Sequence, residues 1–496
     1  MSGVPESSDS STRTCSSPVS VRRHNELRVA VIGFVVIFLF CFMLGSYHHN
    51  LDLYFPGNSN SFTHSAEADF SALQAEALLQ GRLDVLAAPP GLVALDNPYD
   101  PAANAGVARC CGYHDLAYFG GRIYAPQGFG AALLIDVPTR ILTLRYLNPP
   151  LKSVVLVALG SWSLWFLSYG LMKRRSLDCV SRINVVLSLV IVTVANPASW
   201  LITAGRAYQA GVAAGYMGTM FGLFLTFRAI HSTRDLHRYT LLIFGSSILS
   251  LGVLARPPTV FVATGMLILI LQLLGAKSGS FSTTVRNLSL VSVVCLLWVL
   301  VWGWFNFSRF ESFLETGHSY QLAGVNMRTF PKLSPSFIPE NFRMYLLTTF
   351  QLDTSFPYFQ LSNSTWSPDV EIQSHERMVG VAVAYPILLV LAIVGIRQFG
   401  IRVKRYWVTH YVILVASSLT SLLAVSALFK DATMRYIPDF SSALVLVGCL
   451  VLLARDGHTS APSNLRTWFQ RIVLPLTIVS LSAVPLGLLL SNCVAC

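Results

Sequence analysis

The sequence predicts an all-α polytopic membrane protein, and three observations carry that prediction. Of 496 residues, 53% are hydrophobic and only 12% are charged, where soluble domains carry about 25% charged residues. The mean hydropathy is +0.57, and apolar runs recur along the whole chain. Lys and Arg gather between alternate runs. The net charge of +11, with a pI near 9.3, would suggest nucleic acid in a soluble protein. In a multispanning chain the same excess marks the cytoplasmic loops, so the expected partner is the lipid bilayer and no nucleic acid.

Residues 1–24 are rich in Ser and Thr and nearly free of apolar side chains, which predicts a disordered cytoplasmic tail. Arg22, Arg23 and Arg28 then precede the first run, Val29–Gly45. A cleavable signal peptide has its apolar run nearer the N-terminus, so this run is expected to stay as a first span with the N-terminus inside. Later runs fall near 153–172, 183–203, 210–228, 239–255, 258–275, 287–305, 379–397, 407–428, 438–454 and 472–490. Several have the roughly 17–20 residues that a span needs.

The segment Gly128–Leu144 is the exception. It contains Asp136, Pro138 and Arg140, and spanning would bury charge in lipid at about 2.5–3.5 kcal/mol per residue. If 128–144 lies flat on the outer surface, Lys173, Arg174, Arg175, Arg228, Arg234, Arg238, Arg402, Lys404 and Arg405 all fall inside. The short outer loops then keep only Arg206, Arg256, Lys430 and Arg435. That solution obeys the positive-inside rule throughout. It predicts about eleven transmembrane helices and an interfacial helix at 128–144.

This topology divides the chain into a tail (1–24) and a transmembrane module (25–305) whose first outer loop is 46–152. A second large outer loop (306–378) and C-terminal transmembrane helices (379–496) follow. Long loops carry function more often than stability. Nine cysteines show no zinc spacing. Cys110-Cys111 and Cys493/Cys496 read as ordinary thiols, with an oxidised pair left open in an oxidising compartment.

The first outer loop spends six of the 24 acidic residues as aspartates between 64 and 145: Asp69, Asp84, Asp96, Asp100, Asp115 and Asp136. Phe70–Gly81 reads as a short helix with Phe70, Leu73 and Ala77 on one face and Gly81 at its end. Asp69 stands at its N-terminus, where a carboxylate caps the helix or complements its dipole; the same carboxylate is available for chemistry. Glu67 and His64 lie just upstream, a weak metal pattern because no helical spacing orders them. Asn97-Pro-Tyr-Asp100-Pro is a turn by composition. His114-Asp115 is an acid/base candidate only if the two adjacent side chains face each other. Tyr118, Phe119 and Tyr124 with Gly120 and Gly121 suit an aromatic turn at the headgroup level or a sugar-stacking platform.

The outer arginines stand at helix ends, where single charges usually snorkel. Their scarcity on that face singles out Arg206 with Tyr208 and Gln209, Arg256 before two prolines, and Arg435-Tyr436 with Asp439. An arginine there can hold a lipid phosphate through charge-assisted bonds worth about 1.5–3 kcal/mol each. The second outer loop opens with Arg309 and continues through Glu315, His318 and Tyr320, the composition of a substrate cover or of an ordered interfacial loop.

Taken in order, these segments resemble the GT-C superfamily of polyprenyl-phosphate-sugar-dependent glycosyltransferases, which includes protein O-mannosyltransferases and aminoarabinose transferases, and in particular its uncharacterised bacterial membrane members. The resemblance rests on DFSALQAEALLQGRLDV (69–85), DNPYDP (96–101), HDLAYFGGRIYAPQGFGAALLIDVP (114–138), LARPP (254–258), FNFSRFESFLETGHSYQL (305–322) and MRYIPDF (434–440). It runs from the first span to about residue 455. No single motif is specific; the ordered set is.

The resemblance implies a GT-C-like bundle with short interfacial helices in its first outer loop, and Asp69 as catalytic carboxylate. The expected activity moves a monosaccharide from a polyprenyl-phosphate donor to a hydroxyl of a glycan, lipid or protein acceptor, with inversion. Arg256, Arg435 and Arg309 would bind the donor phosphate. Glu67, Asp100, His114, Asp115, Tyr118, Tyr124, Arg206, Tyr208, Gln209 and Tyr320 would line the sugar and acceptor sites. The expected place is the plasma (inner) membrane, with the site on its periplasmic or extracellular side. GT-C enzymes often carry an acidic residue in the loop before the fourth span; Arg206 and Gln209 stand there in this chain. No cofactor is fixed, and a divalent metal stays open with its ligands unknown. The alternatives are a transporter or flippase, which predicts ionisable residues in mid-span and an internal repeat, and a polymerase or ligase of lipid-linked glycans.

Overall fold

The computed structural model describes residues 19–54, 69–108, 112–126, 128–176, 182–278, 281–352, 354, 359–363, 377–402, 405–428, 432–453 and 485–490. The chain is a mostly helical, membrane-embedded protein. Seven helices among the described residues are long and apolar enough to cross a membrane: Glu26–His48, Pro149–Met172, Ala207–Ala229, Asp235–Ala255, Ser282–Phe310, Thr409–Ala427 and Met434–Leu453. An eighth crossing is available if Arg182–Thr193 and Pro197–Ala204, bent by 46° at their junction, act as one span. Two shorter apolar helices, Pro257–Gln272 and Pro386–Gly395, fall on further predicted runs. Most of the last run, 472–490, lies outside the described residues.

The first helix, α1 (Val19–His48), begins directly after Pro18 and extends the first span toward the N-terminus. Six residues of the predicted tail are therefore helical, a start compatible with proline just ahead of a helix. The chain then forms β1 (Leu53–Tyr54) and, after an interval, α2 (Phe70–Leu79). Three short strands follow, β2 (Leu86–Ala87), β3 (Ala117–Phe119) and β4 (Arg122–Tyr124), in an antiparallel sheet of order β2-β4-β3. Gly120 and Gly121, both at positive φ, make the turn between β3 and β4. Glycine takes that backbone conformation without a Cβ penalty.

The predicted interfacial helix is two pieces. Residues Ala132–Asp136 form a wider turn in which the Val137 N–H reaches back to the Ala132 carbonyl, and α3 (Val137–Thr143) continues from it. Such i→i+5 turns are frequent at functional sites. The first piece is wedged into the bundle: a Cβ at Gly130 would collide with the Leu251 carbonyl, and one at Gly218 would lie 2.9 Å from Leu134 Cδ1. The second piece exposes Ile141, Leu142 and Leu144, the apolar face that an interfacial helix turns to lipid.

β5 (Tyr146–Leu147) then pairs antiparallel with β1, Tyr146 opposite Tyr54, so the loop closes where it opened. α4 (Pro149–Ser176), α5 (Arg182–Thr193), α6 (Trp200–Ala204), α7 (Ala207–His231) and α8 (Asp235–Ala255) build the first part of the bundle. Gly222 and Gly245 face each other closely across α7 and α8: a Cβ on Gly222 would stand 2.7 Å from the Gly245 carbonyl. Small residues at such crossings let helices in lipid approach closely. After α9 (Val260–Ser278), α10 (Phe281–Phe310) runs along the periphery, with only 17% of its most apolar stretch buried. It carries residues 306–310 that the sequence reading assigns to the second outer loop, because its apolar run continues through Phe305, Phe307 and Phe310.

The second loop pairs with the first. The Asp115 N–H donates to the Leu322 carbonyl at 3.2 Å, and the Leu322 N–H donates to the Leu116 carbonyl at 2.9 Å. Beyond it come α11 (Ile338–Leu347), a small antiparallel sheet of β6 (Phe350–Leu352), β7 (Phe359–Asn363) and β8 (Arg377–Met378), then α12 (Pro386–Arg402), α13 (Arg405–Ala427) and α14 (Ile437–Leu453). Every residue of α14 is buried, so it forms the axis of the bundle.

Candidate functional site

Asp69 is built into a buried ionic group. It caps α2, accepting from the Ala72 N–H at 3.3 Å, and is 7% exposed. The β1–β5 pairing places Tyr54 beside it, and the Tyr54 hydroxyl donates to Asp69 Oδ2 at 2.7 Å. Lys152, in the first turn of α4, places its Nζ 2.8 Å from Asp69 Oδ1 and 2.7 Å from Oδ2. The same Nζ lies 2.6 Å from Oδ1 of Asp136, which ends the wide turn before α3. The Lys152 side chain has no exposed surface, and Asp136 is 1% exposed.

Two carboxylates sharing one ammonium carry a net negative charge when all three ionise. Burial pushes the Asp136 carboxyl up to about 6; the Lys152 charge opposes that shift and the Asp69 charge adds to it. Burial and the neighbouring Asp69 charge hold the Tyr54 phenol far above its ordinary range, so it stays a proton donor. A neutral donor and an ammonium on one carboxylate fix its orientation tightly.

A second group is joined to the first by one ring contact. Phe70, next to Asp69, meets Tyr208 edge-on at 5.2 Å between centroids. The Tyr208 hydroxyl donates to Asp115 Oδ2. His114 Nε2 lies 3.4 Å from the same oxygen, so the adjacent His114 and Asp115 side chains do face each other. Asp115 reaches this position at a positive φ of 62°. The Arg435 guanidinium stacks over the Tyr208 ring at 5.0 Å and over Tyr436 at 5.5 Å. Tyr436 carries Arg256 on its ring at 4.2 Å. Arg256 is paired with the buried Asp439, Nε to Oδ2 at 2.9 Å and Nη2 to Oδ2 at 2.7 Å. The structure therefore gathers Asp69, Asp115, His114, Tyr208, Arg256 and Arg435 into one chain of contacts.

Other predicted residues lie elsewhere or serve the fold. Arg309 is buried on α10, donates to the Ala125 carbonyl at 2.8 Å and to Asn306 Oδ1 at 3.0 Å, and stacks on Phe305 at 3.9 Å. Asp100 caps a single helical turn through the Ala102 N–H at 2.9 Å. Tyr124 and Tyr320 belong to an aromatic cluster around Phe310 and Phe119 that joins the two loops; Tyr124 and Phe310 meet at 5.2 Å, Phe119 and Tyr320 at 4.7 Å. Tyr118 instead meets Tyr99 at 6.3 Å. Arg206 is exposed at the N-terminal cap of α7. Glu67 lies outside the described residues.

Among the described residues, the buried uncharged polar side chains with atoms that lack a hydrogen-bond partner include three on the elements that carry these groups. They are Gln74, one turn beyond Phe70 and unpartnered at both amide atoms; Gln209 at Oε1, beside Tyr208; and Thr433 at Oγ1, two residues before Arg435. Each unmade bond costs about 1–3 kcal/mol, and such groups suit a polar ligand.

The sequence reading missed Tyr54, Asp136 as a partner of Asp69, and Lys152. The available signal was charge of opposite sign at the edges of two neighbouring apolar runs, since ionisable groups at membrane depth pair with one another. Among the described residues no group of three or more His, Cys, Asp or Glu side chains is arranged to hold a metal ion. No protein-family model matches the chain, and comparison with curated proteins and with solved structures finds no similar one.

Proposed function

We propose that this protein is an integral-membrane glycosyltransferase of the GT-C type, with about eleven spans and its site on the outer face of the plasma (inner) membrane. It would take a polyprenyl-phosphate-linked monosaccharide as donor and a glycan, lipid or protein hydroxyl as acceptor. The observation that supports this reading best is the joining of a buried, oriented carboxylate, Asp69, to a stacked arginine, Arg435, through Phe70 and Tyr208. Unpartnered buried amides beside both supply groups for a sugar.

In this reading the acceptor oxygen attacks C1 of the sugar. The C1–oxygen bond to the phosphate breaks, and the lipid phosphate leaves as an anion. The acceptor proton passes to the Asp69–Asp136 pair, whose two carboxylates share one ammonium. Arg435 stabilises the departing phosphate. Arg256 is already neutralised by Asp439 and acts by holding Tyr436, on which Arg435 also rests. A single displacement inverts the anomeric centre.

The test is transfer by the purified full chain, using a panel of labelled polyprenyl-phosphate sugars and mixed acceptors. Label appearing on an acceptor with inverted linkage supports the reading. Movement of the sugar lipid across vesicles without transfer overturns it in favour of a flippase.

A further inference from the structure

Lys152 occupies the position that a divalent cation held by Asp69 and Asp136 would need. An ion bound to both carboxylates stands about 2.0–2.6 Å from their oxygens, and the Lys152 nitrogen already lies 2.6 Å from Asp136 Oδ1 and 2.7 Å from Asp69 Oδ2. Ser71 Oγ, at 3.3 Å, is a further neighbour of that nitrogen.

The lysine is also held in place from behind. Its backbone N–H bonds to the Asn148 carbonyl at 2.9 Å, while the Asn148 N–H bonds to the Asp52 carbonyl at 3.0 Å. The Asn148 side chain donates to the Asn50 carbonyl at 2.8 Å and accepts from the Leu151 N–H at 3.0 Å. The first turn of α4 is thus tied to the chain leaving α1, and a fully buried side chain has no solvent route by which to swing aside. A divalent ion added to this space would face an ammonium at contact distance.

We infer that Lys152 is the built-in cation of this site: it holds Asp69 and Asp136 in register in place of a metal, and the site binds no divalent ion. Its role as a positioning residue in catalysis rests on the transferase reading; its exclusion of a metal does not.

The probe is Mn²⁺ alone, measured by electron paramagnetic resonance on the purified full chain, with sugar transfer followed in parallel. Wild-type protein is expected to bind no stoichiometric Mn²⁺, and its transfer is expected to survive a chelator. Lys152→Met, which leaves two carboxylates facing an uncharged side chain, is expected to lose transfer about a hundredfold. It should gain Mn²⁺ binding, and Mn²⁺ should restore part of the lost activity, which a merely structural role would not produce. Stoichiometric Mn²⁺ on wild-type protein that Asp136→Asn abolishes would overturn the inference, as would folded Lys152→Met that binds no Mn²⁺. If Lys152→Met does not fold, Lys152→Arg keeps the charge and is expected to exclude Mn²⁺; binding by that variant counts against the inference. Should no donor support transfer, the transferase reading fails while the Mn²⁺ result still decides the cation.

Discussion

The Phe70 ring meets the Tyr208 ring edge-on at 5.2 Å, and through this contact the two charged groups of the site become one. Phe70 follows Asp69 in the chain, and Tyr208 lies between Asp115 and Arg435. Aromatic pairs of this geometry add about 0.5–1.5 kcal/mol beyond their buried area. Tyr208→Phe keeps the ring and loses the bond to Asp115, so it should lower stability by about 1 kcal/mol. Tyr208→Ala removes the ring as well and should cost about 3–5 kcal/mol. Thermal unfolding in mild detergent separates the two; equal effects would mean that the ring contact carries nothing.

Arg256 and Asp439 form a pair in which Asp439 is 1% exposed. Arg256→Ala leaves that carboxylate buried without its partner and should destabilise by about 3–5 kcal/mol. Replacing both, Arg256→Ala with Asp439→Ala, should recover a large part of the loss. A double-mutant cycle checks this, and additive effects of the two single variants would contradict it.

How much of this was legible in the sequence depends on the distance over which each contact acts. The helix after Asp69 follows from local spacing, and the cap at Asp69 follows with it. The apolar runs mark the spans because lipid admits no unsatisfied backbone. Pairing across the chain was hidden: Lys152 is 83 residues from Asp69 in sequence, and the β1–β5 closure is one of the tertiary contacts that bring them together. Arg309 looked like a phosphate ligand because its partners, the Ala125 carbonyl and the Phe305 ring, leave no trace in composition.

Asp136 should give the protein a pH signature. Its folded-state carboxyl is pushed from 3.8 up to about 6, chiefly by burial, so between those values the folded chain holds a proton that the unfolded chain has lost. Its contribution to stability therefore falls as pH rises from 3.8 to about 6 and is level above. Transfer activity should rise through the same upper limit as the group ionises. Asp136→Asn should remove both slopes; thermal midpoints and rates across that range test this, and unchanged slopes would contradict it.

Glu76 has the opposite sign. Burial disfavours its ionised form, but hydrogen bonds from Tyr146, Gln80 and Arg140 outweigh burial and hold the carboxyl below its ordinary 4.5. Its contribution is complete above 4.5 and is lost as pH falls below it. Because Arg140 sits on α3, Glu76→Gln should loosen α3 and make the segment between α1 and α4 more sensitive to protease at neutral pH. Limited proteolysis with mapping of the cut sites reads this directly; identical cleavage in both proteins would refute it.

The most direct test of the account is the rate of sugar transfer by Asp69→Asn protein, purified intact and assayed with the labelled polyprenyl-phosphate sugar that serves the wild type. Asparagine keeps the helix cap and the shape of the site but cannot take the acceptor proton. The account predicts a loss of about 10²–10⁴-fold with the folded state retained. Transfer at the wild-type rate would contradict it.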